Sequence, residues 1–113
     1  MKEFNELVAI VSKLRTECPW DREQTHETLA KHLIEEAYEL LDALAAFQIN
    51  SKNHSMLKDE LGDLLLQILL HSKIAEENNH FSIVDVVYTI NSLHLPSMNA
   101  RFHSRFASFK LLA

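Results

Sequence analysis

HLIEEAYELLDAL, residues 32–44, is an apolar segment that carries four acids in eight residues: Glu35, Glu36, Glu39 and Asp42. Leu29, Leu33, Ala37, Leu40, Leu44 and Phe47 recur at helical spacing, flanked by Ile34 and Leu41. That pattern predicts an amphipathic helix with a seam turned to a core. On a helical wheel Glu36 stands at the edge of the seam, beside Leu29 and Leu40. Glu39 lies one turn along on the same flank, while Glu35 and Asp42 point further out. Like charges crowded against an apolar seam need water or a neutralising partner, and which of the two applies decides what the segment is for.

The remaining sequence also reads as helix. The chain has 113 residues, the length of one domain. With 1 Gly and 2 Pro it is poor in turn formers, which favours long helices and short loops. A first helix is predicted over residues 3–17, with Phe4, Leu7, Val8, Val11 and Leu14 on one face. Cys18-Pro19 stops it, and PWDREQ follows as a polar connector. The second helix starts at Thr25, an N-cap residue type, and runs to about residue 48. NSKNHS turns the chain into a third helix over about 56–78. A fourth helix begins at Ser82 as N-cap, with Asp85 at N3 and a Phe81–Val86 hydrophobic staple, and runs to about residue 92. Pro96 then breaks the chain. Phe102, Phe106 and Phe109 share a face and allow a short fifth helix. The expected fold is an all-α antiparallel bundle of four to five helices, with a helical domain over 1–94 and a basic tail over 95–113.

The third helix is unusual. From Leu64 to Leu70 it is apolar almost all round, the mark of a helix buried on every side. Glu60, Asp63, Gln67 and His71 nevertheless form one polar stripe at i, i+3, i+7 and i+11. A single chain of this size can hardly enclose such a helix, whereas a second copy can. The expectation is a homodimer or homotetramer in which the second and third helices of each chain build a shared bundle. Gly62, inside this helix, costs helix stability and suggests a close helix approach there.

Composition narrows the function classes. Lys+Arg 11 against Asp+Glu 16 gives −5, a poor balance for binding nucleic acid or an anionic membrane. Residues 1–96 hold all 16 acids and 8 of the bases, hence −8; the tail adds Arg101, Arg105 and Lys110, hence +3. The single cysteine, Cys18, permits no disulfide within the chain and reads as a packing residue. MKEFNELVAI does not read as a signal peptide, and LLLQILL at 64–70 is too short to span a bilayer. These features point to a soluble cytoplasmic protein.

The acids pair across two helices. Glu36 and Glu39 form one i, i+3 pair and Glu60 and Asp63 a second. The 20 residues between Glu39 and Glu60 suffice to finish one helix, turn, and return antiparallel. A lone E-x-x-E is ordinarily a solvated helix face. Two such pairs against apolar seams on successive helices predict a convergent cluster. Desolvating those charges costs several kcal/mol per ion unless they protonate or take up a cation. A cage of oxygens without sulfur suits Mg²⁺ or Mn²⁺ rather than zinc.

At these residues the sequence resembles the MazG-like nucleoside triphosphate pyrophosphohydrolases of the all-α NTP pyrophosphatase superfamily. The pattern EExxE, a spacer and ExxD reads here Glu35-Glu36-x-x-Glu39 and Glu60-x-x-Asp63. CPWDREQTHETL (18–29), DELGDLLLQILLHSKIAEE (59–77) and FSIVDVVYTIN (81–91) also look like blocks of that family. The resemblance implies an oligomeric helical bundle that cleaves a nucleoside triphosphate between its α and β phosphates, in disposal of surplus or noncanonical nucleotides. It implies Glu36, Glu39, Glu60 and Asp63 as Mg²⁺ ligands, with Glu35 as an extra catalytic acid on a second metal or the attacking water. Lys31 and Lys58 are candidates to hold phosphate, and Trp20 to stack on the base, although a half-buried loop anchor is an equal reading of Trp20. After Asn91 the chain departs from the family pattern, and Arg101, Arg105 and Lys110 are the bases left to replace the usual basic segment. His26 reads as a surface residue or a phosphate or base contact, and Gln67 and His71 as support for the acids or as core.

Two other readings compete. A di-iron carboxylate bundle would use Glu-x-x-His motifs, and Glu23–His26 and Glu77–His80 have that form, but they fall at helix ends apart from the acid pairs. A non-catalytic helical oligomerisation module would make the acids a solvated face and the apolar third helix an interface.

Overall fold

The computed structural model describes residues 1–92. They form α1 (Lys2–Glu17), α2 (Pro19–Glu23), α3 (His26–Ile49), a 3₁₀ turn (Ser51–Asn53), α4 (His54–Glu77) and α5 (Ile83–Ser92). The described residues are all-α, as expected, and the long helices begin and end within two residues of the sequence-based boundaries. Arg101 and the possible tail helix lie outside the described residues.

Local chemistry sets each boundary. Cys18 is extended (φ −89°, ψ 116°), as the residue before a proline must be, and this ends α1. The expected polar connector is itself a short helix. Pro19 occupies its first turn, where a missing N–H is no loss and the ring already has the helical φ. Thr25 caps α3 as anticipated. Its Oγ1 accepts from the Thr28 amide at 3.2 Å, and the Thr28 hydroxyl accepts from the Thr25 amide at 2.8 Å.

At the α3–α4 turn, the Asn53 side chain donates to the Ala46 carbonyl at 2.9 Å and so closes the end of α3. α4 ends on Asn79 in the left-handed region (φ 59°). The Asn79 amide bonds the Glu76 carbonyl and the His80 amide the Ala75 carbonyl, each at 3.0 Å. This is a Schellman closure with asparagine in the glycine position. Ser82 and Asp85 then start α5 as predicted, with the Ser82 amide donating to Asp85 Oδ2 at 2.8 Å.

The core is small. Val11 of α1, Leu29 of α3 and Leu69, Leu70 and Ile74 of α4 form its buried centre, with Phe4, Leu7, Val8, Leu65, Leu66 and Ile83 packed around it. Along α3 the buried and half-buried positions include Leu29, Leu33, Glu36, Leu40, Ala43 and Phe47. They step by four and three alternately, the 3.5-residue repeat of a helix following one close neighbour. Ala37 and Leu44, expected on the seam, are exposed, and Ala43 is buried in their stead. Glu36 therefore sits on the seam rather than at its edge.

Among the described residues α4 is not enclosed. Leu61 is 50% and Ile68 41% exposed, while Gln67, Leu69, Leu70, Ser72, Ile74 and Ala75 are buried. Gly62 also differs from expectation. A Cβ built there meets nothing within 4 Å, so no close approach within the described chain calls for glycine.

Two stability changes are expected in denaturant titrations. Leu29→Ala, at a fully buried site, costs about 2–5 kcal/mol. Gly62→Ala, in open space, gains about 0.5–1 kcal/mol by removing the helical cost of glycine.

Candidate metal centre

α3 and α4 form the most extensive helix pair. They run antiparallel: His26 at the start of α3 meets His71 late in α4, and Ala46 near the end of α3 meets Asn53 just before α4. This pairing brings the two i, i+3 acid pairs face to face. One carboxylate oxygen from each of Glu36, Glu39, Glu60 and Asp63 can be chosen so that all four lie within 4.8 Å of one another. Glu36 and Glu60 are half-buried; Glu39 and Asp63 open to solvent.

The electrostatics of the cluster are unfavourable as they stand. Oε2 of Glu36 and Oε2 of Glu60 are both out of water and have no hydrogen-bond partner. Burial pushes the Glu36 carboxyl above the ordinary carboxylate range, and the charges of Glu39 and Asp63 push it further. Glu60 is raised in the same way, by loss of water first and then by Glu39. Orphaned acceptor oxygens beside like charges are what a hard cation would satisfy. The donor set, four carboxylates with no sulfur and no imidazole, fits Mg²⁺ or Mn²⁺.

Trp20 on α2 is 54% exposed and stands edge-on to the His32 ring, with centroids 5.8 Å apart. His32 Nδ1 lies 3.6 Å from a Glu35 oxygen, and Lys31 Nζ 3.9 Å from the other. His32, Glu35, Glu36 and Glu39 thus make a stripe along α3, with Trp20 at its N-terminal head. Sequence reasoning passed over His32, although its place three residues before Glu35 and four before Glu36 was readable. Glu35 itself is outside the four-carboxylate cluster. Lys58 is exposed on α4, and two residues from Glu60 it faces another side of the helix.

Gln67 and His71 extend the α4 stripe away from the acids. Gln67 is buried with its Oε1 unpartnered, as is Nε2 of His71. The His71 ring stacks on His26 with Nδ1 atoms 2.7 Å apart, so one of the two nitrogens must carry the hydrogen and the other accept it. His26 is exposed, as a surface histidine is, and it is also engaged with α4. The two Glu-x-x-His strings stay apart from the acids: Glu77 is taken by Arg15 and His26 by His71.

The raised carboxyls fix the sign of a pH effect. A folded-state pKa above the unfolded value means that the folded protein binds the extra proton. Its stability then falls as pH rises from about 4.5 through the raised values. In metal-free buffer at neutral pH, Glu36→Gln and Glu60→Gln are each expected to raise the thermal midpoint. The gain should shrink as the buffer is made acidic, and melting curves across pH measure it.

Comparison with known proteins agrees with this geometry. A family model for the MazG nucleotide pyrophosphohydrolase domain matches residues 24–92, a span that contains all four clustered acids. A nucleoside triphosphate pyrophosphohydrolase/pyrophosphatase MazG of Thermotoga maritima is 52% identical over 90 residues, covering 78% of this chain and 33% of that protein. Nucleoside triphosphate pyrophosphohydrolases of Mycolicibacterium smegmatis and Escherichia coli K12 are 52% identical over 81 residues and 37% over 94; the matches cover 70% and 80% of this chain. The matched part of this chain spans about a quarter to a third of the length of these relatives. On the family match, and on the acid cluster that lies within it, the chain belongs to the MazG nucleotide pyrophosphohydrolase domain family.

Proposed function

We propose that this chain hydrolyses nucleoside or deoxynucleoside triphosphates to the monophosphate and pyrophosphate with Mg²⁺, and so removes unwanted nucleotides from the cytoplasmic pool. The observation that carries the reading is the cluster of four acids whose oxygens lie within 4.8 Å, two of them with a buried, unpartnered oxygen. Glu36, Glu39, Glu60 and Asp63 would hold the ion. Once bound, Mg²⁺ (or Mn²⁺) would offset the charge of both the carboxylates and the triphosphate and acidify water at the site.

The chain's own residues divide the remaining work. Glu35, outside the cluster but on its stripe, orients the attacking water and accepts its proton. The water attacks the α-phosphorus and the α–β anhydride bond breaks, so that pyrophosphate leaves. Such a transfer needs charge stabilisation and alignment more than a covalent nucleophile. Lys31, beside Glu35, and Lys58 supply positive charge for the phosphates, and Arg101 in the tail is a third candidate. Trp20 stacks on the base.

The same reading includes assembly as a homodimer or homotetramer. Ile34, Tyr38 and Leu41 of α3 are 58%, 65% and 58% exposed, at i, i+4 and i+7, and Leu61 and Ile68 of α4 are also open. A second copy packed on these residues would complete the bundle. The exposed apolar residues equally favour the alternative of a non-catalytic oligomerisation module, whereas the unpartnered buried oxygens of Glu36 and Glu60 favour the enzyme.

Incubation with a panel of ribo- and deoxyribonucleoside triphosphates and Mg²⁺ is expected to yield monophosphate and pyrophosphate; release of orthophosphate instead would mean that another bond is cut. Glu60→Gln is expected to lower turnover by about a hundredfold or more and to abolish the rise in thermal midpoint on adding Mg²⁺. A non-catalytic module predicts neither loss. Leu41→Arg is expected to lower the mass measured by light scattering toward that of one chain.

A further inference from the structure

Arg15 is a buried charge far from the acid cluster, and the reaction outlined above gives it no part. It is 9% exposed. Its Nε and Nη2 donate to the two carboxylate oxygens of Glu77 at 2.8 Å each. Its Nη1 donates to the Gln24 carbonyl at 2.9 Å and to the Asp21 carbonyl. One guanidinium thus ties three places together: the last turn of α1, the last turn of α4, and the end of α2. The Glu77 carboxyl is held below its ordinary range by the bond from Arg15, so the pair is ionised at neutral pH.

The element that gains most is α2. It has five residues and none is buried. A helix so short does not persist alone, and it buries no side chain of its own. Its one solvent-facing aromatic, Trp20, stands at the head of the stripe His32–Glu35–Glu36–Glu39. The Gln24 side chain, next to the carbonyl that Arg15 holds, donates to the Trp20 carbonyl at 3.0 Å and accepts from the Thr28 hydroxyl at 2.8 Å. The hydrogen bonds therefore run from Arg15 through the Gln24 residue to the Trp20 backbone and to the first turn of α3.

We propose that Arg15, clamped by Glu77, is a positioning residue that holds α2 so that Trp20 keeps a fixed place relative to the acid cluster. It acts on nucleotide binding through Trp20, without touching the substrate. Lysine cannot replace it, since an ammonium lacks the planar fork that bonds Glu77 twice and still reaches two carbonyls. The inference rests on the reading of Trp20 as the base-stacking residue.

Trp20 is the only tryptophan of the chain, so its fluorescence reports α2 alone. The test compares wild type, Arg15→Lys, Glu77→Gln, Trp20→Ala and the Arg15→Lys/Trp20→Ala double variant, with folding checked by helical circular dichroism. Arg15→Lys is expected to lower the fluorescence anisotropy of Trp20 and to raise KM for the triphosphate about tenfold, the scale of one base–aromatic stack, with kcat within about twofold. Glu77→Gln is expected to act in the same direction and stands in if Arg15→Lys does not fold. The double variant should show no higher KM than Trp20→Ala alone. Unchanged anisotropy in the folded variants overturns the clamp, and so do KM increases that multiply in the double variant. Should Trp20→Ala leave KM unchanged, or the wild type release no pyrophosphate, the nucleotide reading falls; the anisotropy still decides whether Arg15 fixes α2.

Discussion

Repulsion among four carboxylates is the constraint to which the rest of the described fold answers. Glu36 and Glu39 on one helix and Glu60 and Asp63 on the next would move apart if their helices were free to separate. The alternating four- and three-residue seam of α3 against α4 opposes that movement, and the buried leucines at the α1 end of the pair supply much of the adhesion. The position nearest the acids pays twice, because Glu36 occupies a seam site that would otherwise hold an apolar side chain. The fold tolerates a local loss of stability at one place to keep a charge arrangement that water alone would not assemble.

A second charge arrangement shows the opposite balance. Arg15 and Glu77 are matched in sign, hydrogen-bonded twice, and further satisfied by backbone carbonyls. There the carboxyl is driven down, whereas at Glu36 and Glu60 it is driven up. The direction of the shift separates a site that is complete within the chain from one that calls for something further. Perturbation by like charges in a partly dry setting is the usual character of a working centre, and a satisfied ion pair that of a structural tie.

How much of this could be read from the sequence varies with the physics of each element. The long helices were legible, because periodic apolar residues and the caps Thr25 and Ser82 are local signals. So was the convergence of the acids, which needs only two i, i+3 pairs and a connection of known length. The short helix α2 was not, since the carbonyls at its end are met by a guanidinium arriving from α1, six to nine residues away. The exact seam of α3 was misjudged by one position at Ala37 and Leu44, because a 3.6-residue wheel does not reveal the 3.5-residue path that a close neighbour imposes. The His26–His71 stack joins residues 45 apart, a separation over which no local pattern operates. A glycine inside a helix suggests crowding, yet the space around Gly62 is open among the described residues.

All four clustered acids sit on two consecutive helices, within the stretch from Glu36 to Asp63, and neither α1 nor α5 contributes one. Among the described residues the cluster is thus one cassette. Domains could be spliced on outside that stretch without re-registering a single acid, so the cluster is heritable as one piece, while its surroundings remain free to diversify.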